Sequence, residues 1–285
     1  MEFEVYAEGR AFQRNSDLKI TLDLLKNYQL IFDEGVGLAI ISQDVSPTER
    51  PKLYMQTLEN GSLEAVFIAV AAGLNSTPFS GGVANLAWDY IVGAYNFVRF
   101  AVSTFDRTNS PPGINFSADV NVEIHGDNNS VSVHPDIYAL AQKAHKHFDE
   151  IATQVQKRTL DNFTASNSSR EGTVQLDRTN EGDFKVKGVT RRDPDSNTFE
   201  AGLYSFNRKK RSGWLEVYIE EEERARAFRF TIDDEEDEET FDSCVESLKV
   251  GKSKVTAYKE YEVNSLGEKN IKKFFLQSVA PEYDS

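Results

Sequence analysis

The chain has 285 residues, enough for one large or two moderate domains, and its 19 phenylalanines and 11 tyrosines exclude a disordered protein. Its 46 acidic and 32 basic residues give a formal net charge of −14, which excludes nucleic-acid binding by the whole surface. Its single cysteine, Cys244, excludes an intrachain disulfide and a thiolate zinc cluster, and favours a cytoplasmic location.

The first part of the chain mixes predicted strands and helices. The alternating segment 3–9 predicts a strand, and Ser16 is a suitable cap for a helix that follows it. Segments 36–42 and 52–59 are further predicted strands. The apolar residues between Ser62 and Phe105 predict a buried helical hairpin, because the first half is too short to span a bilayer and the second contains charged residues. We therefore expect no membrane association.

A β-hairpin and a helix are predicted next. Segments 118–124 and 130–134 alternate apolar and polar residues, and the intervening Gly, Asp and Asn residues favour a tight turn. Pro135 is suited to the first position of a helix that extends to about residue 158. The four histidines lie on these elements, without the three or four convergent ligands that a metal site needs. We expect them to be solvated surface residues and expect no cofactor.

Beyond this helix the composition changes. Residues 163–171 are small and polar and predict a linker, and residues 172–285 read mainly as short strands. The sequence thus predicts an α+β class, with an α+β domain at 1–162 and a small antiparallel barrel or sandwich at 172–285. A short helical segment is expected around 241–248.

Catalytic motifs are weak in this sequence. It has no Gly-x-Ser-x-Gly nucleophile elbow, and Cys244 lies among acids that raise a thiol pKa. Asp177, Asp183 and Lys185 match the acid and lysine pattern of metal-dependent nucleases loosely. Strands rich in acids and lysines produce such matches often, so we expect a protein that is not an enzyme and keep the nuclease as a third hypothesis.

Two runs of charge stand out in the C-terminal part. One run consists of seven consecutive acids: Asp233, Asp234, Glu235, Glu236, Asp237, Glu238 and Glu239. The other is basic, Arg208, Lys209, Lys210 and Arg211, and is followed by Trp214. Either run is explained by a solvated loop. As functional segments, the acids favour docking of a basic protein partner and the bases favour contact with phosphate.

The layout resembles a group of bacterial and phage two-domain proteins. The resemblance is carried by VYAEG at 5–9, LENGSLEAVF at 58–67 and VNVEIHGDNNSVSV at 120–133. It implies an α+β module followed by a five-stranded β-barrel, in a bacterial or phage setting that includes anti-phage defence. It implies no catalytic residues.

The sequence supports two main hypotheses of function. The first is a cytoplasmic interaction protein, within a homo-oligomer or a larger complex, for instance a phage-encoded inhibitor or a component of a defence complex. The second is a barrel that binds single-stranded nucleic acid through Phe206, the basic run and Trp214.

Overall fold

The computed structural model describes residues 2–12, 18–44, 52–58, 63–70, 77–125, 129–168, 170–217, 225–233 and 237–283. The chain divides into two compact units, Met1–Lys187 and Gly188–Ser285. The predicted α+β class with a small C-terminal barrel is confirmed. The predicted linker 163–171 is not a boundary, because residues 162–177 form two strands of the first unit.

The first unit contains three helices and eight strands in its described part. In chain order they are β1 (Glu2–Glu8), α1 (Leu18–Ser42), β2 (Lys52–Leu58), β3 (Leu63–Val70), α2 (Thr77–Thr108), β4 (Gly113–Phe116), β5 (Val122–His125), β6 (Ser130–Val133), α3 (Pro135–Gln156), β7 (Asn162–Asn167) and β8 (Arg170–Asp177).

The main sheet of this unit has the order β2-β3-β1-β7-β8 and is antiparallel throughout. Because side chains alternate along a strand, Phe3, Val5 and Ala7 of β1 all point into the core of the first unit. The Phe3 ring lies 5.0 Å from that of Phe32 on α1 and 5.9 Å from that of Trp88 on α2. Helices α1 and α2 therefore cover this face of the sheet.

Two predicted elements were wrong. The first half of the expected helical hairpin is strand β3, which pairs with β1 and β2 on its two sides. The expected strand 36–42 is the last part of helix α1, where Val36, Ala39 and Ile40 continue the buried helical stripe. Short apolar runs do not reveal their period, so the neighbouring strands and helices decide.

The predicted hairpin is confirmed as β5 and β6, with β4 added parallel to β6. Helix α3 begins at Pro135, as predicted, and the His134 side chain caps it by accepting a hydrogen bond from the Asp136 backbone N–H. The hairpin therefore leads directly into α3, with His134 as the connecting residue.

The second unit contains six strands and one helix in its described part. They are β9 (Gly188–Arg192), β10 (Asn197–Asn207), β11 (Ser212–Val217), β12 (Arg226–Ile232), α4 (Glu238–Val250), β13 (Ser253–Asn264) and β14 (Lys269–Pro281).

Five of these strands close into a barrel. The order is β10-β11-β12-β14-β13, the pairing of β10 with β13 closes it, and β9 extends β13. The pair β12 and β14 is parallel, so the barrel is not wholly antiparallel as predicted. Leu215, Phe230 and Phe274 are among the side chains that fill the interior. No helix in the described part of the chain has the length and apolar character that crossing a bilayer requires.

Candidate functional site

The outer side of the barrel carries a row of one aromatic and two cationic side chains on neighbouring strands. Trp214 on β11 pairs with Arg229 on β12, and Arg229 pairs with Lys273 on β14. Since Leu215, Phe230 and Phe274 point into the core, strand alternation turns their sequence neighbours outward. The pairing register alone therefore sets a tryptophan, an arginine and a lysine side by side.

A second row lies beside the first. It contains Phe275, which pairs with Tyr258 on β13, and Arg192 on β9 lies close to both rings. The two rows together form a surface that we call the cation–aromatic face, which consists of Arg192, Trp214, Arg229, Tyr258, Lys273 and Phe275. Glu260 pairs with Lys273 and Arg192, and supplies a carboxylate at its border.

The cations of this face rest on aromatic rings. The Arg229 Cζ atom lies 5.2 Å from the Trp214 ring centroid, and the Lys273 Nζ atom lies 4.1 Å from the centroid of Phe275. A ring stabilises a cation through its π-face and does not neutralise its charge. The N–H donors of Arg229 and Lys273 thus keep their capacity for an anionic ligand.

Two surface grooves meet on the face. One of about 660 Å³ runs towards Lys210, and the other, of about 510 Å³, runs towards Lys272. Trp214, Arg229 and Lys273 line both of them. These three side chains form the shared wall of a depression that crosses several strands.

A close approach of two strands positions Trp214. A β-bulge interrupts the pairing of β10 with β11 between Leu203 and Ser205. Gly213 pairs with Phe206 beside the bulge, and a Cβ atom there would come within 2.0 Å of the Ser205 carbonyl oxygen. Bulges redirect side chains near binding surfaces, and glycine permits the backbones to meet. Trp214 follows directly and is 37% exposed.

The predicted basic run divides into two kinds of residue. Arg208, Lys209 and Lys210 are exposed in the turn between β10 and β11. Arg211 instead lies over the Phe241 ring, and its Nη1 atom is 2.9 Å from the Glu238 carboxylate. Its side chain is only 18% exposed, so its guanidinium joins the turn to helix α4.

Phe206, the aromatic residue that the sequence assigned to the binding surface, mostly serves the barrel core. Its ring is stacked on Phe230 and meets Phe241 edge-on at 5.3 Å. Of the residues that the sequence assigned to a binding surface around the basic turn, Lys210 and Trp214 are exposed there. Phe206 and Arg211 are instead engaged in packing and an ion pair.

The predicted acidic run is partly used inside the barrel unit. Asp233 Oδ2 lies 2.6 Å from Arg192 Nη2. Asp237 caps α4 by accepting a hydrogen bond from the Thr240 backbone N–H, and hydrogen bonding to Thr240 lowers its pKa. Glu238 meets Arg211, and Glu239 is exposed on the first turn of the helix. Asp234, Glu235 and Glu236 lie outside the described residues.

The nuclease hypothesis predicted that Asp177, Asp183 and Lys185 converge. Asp177 accepts hydrogen bonds from Thr179, which lower the pKa of its carboxyl group, whereas Asp183 lies 3.2 Å from Arg99 Nε. Burial raises the pKa of the Asp149 carboxyl group, and the positive charge of Lys185 opposes this rise. Within the described ranges, no group of three or more His, Cys, Asp or Glu side chains is arranged to hold a metal ion.

The remaining sequence candidates have structural roles. His147 is buried, not solvated as predicted, and its Nδ1 atom lies 2.8 Å from the Asn27 side-chain oxygen. Cys244 is fully buried in the barrel core, where burial raises the pKa of its thiol to about 12. A thiol with such a pKa is a poor nucleophile at neutral pH.

Sequence reasoning missed most of the cation–aromatic face. Arg192, Arg229, Tyr258, Lys273 and Phe275 are far apart in the sequence, and only barrel closure brings them together. A signal was present in segments 226–232 and 269–281, where strand alternation separates inward from outward residues. Comparisons with protein-family models, curated proteins and solved structures found no match to this chain.

Proposed function

We propose that the C-terminal barrel binds single-stranded nucleic acid on the cation–aromatic face. The observation that carries the proposal is the row in which Trp214, Arg229 and Lys273 occupy paired positions on three neighbouring strands. Exposed aromatic rings stack with unpaired bases, and flanking cations neutralise the phosphates between them. Duplex bases are already stacked on one another, so this face favours single strands.

The acidic composition of the chain is compatible with such a local surface. Eleven acids of the barrel unit are concentrated in two short segments, 220–223 and 233–239. The exposed turn with Arg208, Lys209 and Lys210 adds positive charge beside the groove that Trp214 lines. Local charge at a groove, more than net charge, steers an anionic ligand.

Analogy at the level of the fold supports the same surface. Five-stranded Greek-key barrels of the oligonucleotide-binding type bind their ligands on the outer face of their second and third strands. In this barrel those strands are β11 and β12, which carry Trp214 and Arg229. The analogy supports the class of ligand, and the argument for particular residues rests on their geometry.

Fluorescence anisotropy with a labelled oligothymidine of about 12 nucleotides, within the range that small barrels occupy, tests the proposal. We expect binding that weakens as salt rises, and a loss of about 1–3 kcal/mol in Trp214→Ala because one stacked base is released. Tyr283→Ala is the matched control, since Tyr283 is an exposed aromatic residue outside the face. No binding at low salt, or equal affinity for Trp214→Ala and the wild type, contradicts the proposal.

A protein partner is our second proposal. It is supported by Glu239, Asp242 and Glu246, which are exposed along one side of helix α4 and form an acidic stripe for a basic partner. An inhibitor or component of a phage-defence complex is one form of this function. Co-purification of a basic protein from a bacterial lysate, lost in Glu239→Gln/Asp242→Asn/Glu246→Gln, tests it; equal recovery by this variant contradicts it.

For either function we propose a cytoplasmic compartment. The support is Cys244, which is a free, buried thiol and the single cysteine of the sequence.

A further inference from the structure

Arg192 has an unusual position on the cation–aromatic face. Its Cζ atom lies 4.2 Å from the ring centroid of Tyr258 and 4.4 Å from that of Phe275. Both rings belong to the face that we propose binds nucleic acid. Contact with two rings restricts the orientation of the Arg192 guanidinium, so its N–H donors lose little further conformational freedom when they bind an anion.

An internal carboxylate already accepts a hydrogen bond from one of those donors. Asp233 Oδ2 lies 2.6 Å from Arg192 Nη2, and the Asp233 side chain is only 25% exposed. The backbone N–H of Asp233 donates to the Leu276 carbonyl oxygen at 2.8 Å, which fixes the residue beside β14. Carboxylate and phosphate oxygens accept the same charge-assisted hydrogen bonds from arginine. Asp233 therefore stands where a phosphate oxygen would meet Arg192.

The same arrangement recurs at the basic turn. Glu238, which is close to Asp233 in the sequence, pairs with Arg211, and the Arg211 carbonyl oxygen accepts a hydrogen bond from the Ile232 backbone N–H. The start of the acidic run thus lies directly beside the turn that carries Lys210. Asp233 and Glu238 thus each pair with a cation of the barrel unit, and Asp233 does so with a cation of the face.

We infer that Arg192 is a phosphate-binding residue that Asp233 occupies in the free protein. A phosphate of single-stranded nucleic acid must displace the Asp233 carboxylate before it can bind Arg192. The inference rests on the proposed function and adds its regulation. The nucleic acid contacts Trp214, Arg229 and Lys273 directly, and Arg192 contributes to binding only when the Arg192–Asp233 ion pair opens. Release of Asp233 by neutralisation, or by a basic partner bound to the acidic segment, then tightens binding.

Affinity of the full-length chain for labelled oligothymidine, measured over a range of salt concentrations, tests the inference. We expect Asp233→Asn to tighten binding by about fivefold, the worth of one exposed ion pair. We also expect the slope of log affinity against log salt to steepen by about 0.7, the value for one added phosphate contact on a single strand. Arg192→Gln alone should change the affinity by less than about twofold, because this cation is already neutralised.

Two controls separate this effect from general electrostatics. Glu200→Gln removes one negative charge from another exposed ion pair, Lys252–Glu200 at 2.8 Å, and should leave the salt slope unchanged. The double variant Asp233→Asn/Arg192→Gln should lose the whole gain of Asp233→Asn. The inference is overturned if Glu200→Gln tightens binding as much as Asp233→Asn, or if the double variant keeps the gain.

The same data distinguish failure of the inference from failure of the proposed function. If the wild type binds and Trp214→Ala binds more weakly, but Asp233→Asn has wild-type affinity, the binding face stands and the role inferred for Arg192 is wrong. If neither the wild type nor Asp233→Asn binds at low salt, both are wrong.

Discussion

The two tryptophans of the chain lie in surroundings that give them opposite roles. Trp88, in the first unit, is fully buried and its ring lies 5.9 Å from that of Phe3. Trp214, on the barrel, is 37% exposed and has the guanidinium of Arg229 over its ring. The residue type is the same, and its neighbours decide whether its aromatic surface stabilises the fold or remains for a ligand.

Individual cations of the chain show a similar contrast in their surroundings. In the first unit Lys187 Nζ lies 2.7 Å from Asp106, and Arg178 pairs with Asp161. On the barrel Arg229 and Lys273 rest on rings. A carboxylate partner neutralises a cation, whereas a ring leaves its charge in place. A cation on an exposed ring is therefore a better indicator of a binding surface than a cation in a salt bridge.

The largest expected effect is the loss of stability when the buried tryptophan is removed. Trp88→Ala should lower the free energy of unfolding by about 3–5 kcal/mol, because it leaves a large cavity between the first-unit sheet and α2. Urea denaturation followed by circular dichroism measures it. Trp214→Ala is the matched variant and should lower stability by only about 1 kcal/mol, because more than a third of its surface is already exposed. Equal losses in the two variants contradict the contrast.

The second prediction concerns the two cations that line both grooves of the face. Arg229→Gln and Lys273→Gln should each reduce the slope of log affinity against log salt by about 0.7, since each removes one phosphate contact. Anisotropy with oligothymidine between low and moderate salt measures the slope. Lys254→Gln removes an exposed lysine from β13 outside the face and serves as the control. Identical slopes in all three variants would assign these cations a structural role.

Local sequence patterns predict much of the fold, and the wrong predictions share one cause. The alternation of β1, the turn chemistry of the β5–β6 hairpin and Pro135 at the start of α3 are local signals, and they predicted these elements correctly. Strand β3 was predicted as a helix, because an apolar run of eight residues has no visible period. Pairing with β1, which is distant in the sequence, and with β2 fixes its conformation.

The site was predictable only where it is contiguous in the sequence. Lys210 and Trp214 lie close together and were identified, whereas Arg229 and Lys273 are contributed by strands separated by helix α4. Their proximity depends on the parallel register of β12 and β14, which no local pattern specifies. For the acidic run the sequence predicts a solvated loop or a docking segment, whereas Asp233 and Glu238 face cations of the same unit.

The third prediction separates two neighbours in the basic turn. Arg211→Gln should lower the free energy of unfolding by about 1–2 kcal/mol, because its mostly buried guanidinium joins the turn to α4. Lys210→Gln should leave stability within about 0.5 kcal/mol of the wild type and weaken nucleic-acid binding at low salt. Urea denaturation and anisotropy measure the two effects. The reverse pattern would place Arg211, and not Lys210, on the binding surface.

The smallest expected effect concerns pH and the first unit. Burial lowers the pKa of His147 from its ordinary value of 6.5. As the pH falls, the His147 imidazole is therefore protonated in the unfolded chain before it is protonated in the folded chain. The stabilising contribution of neutral His147 is complete above pH 6.5 and declines as the pH falls towards its folded-state pKa. Urea denaturation at several pH values, with His147→Asn as control, measures it. An identical pH dependence in the variant contradicts the assignment.

The central claim is that the exposed ring on β11 stacks with a base. Trp88→Phe leaves Trp214 as the single tryptophan of the chain and keeps an aromatic ring in the first-unit core. Fluorescence of this variant during titration with oligothymidine at low salt reports on Trp214 directly. We predict saturable quenching that is absent with duplex DNA of the same length. Unchanged Trp214 emission at saturating oligonucleotide would contradict the account.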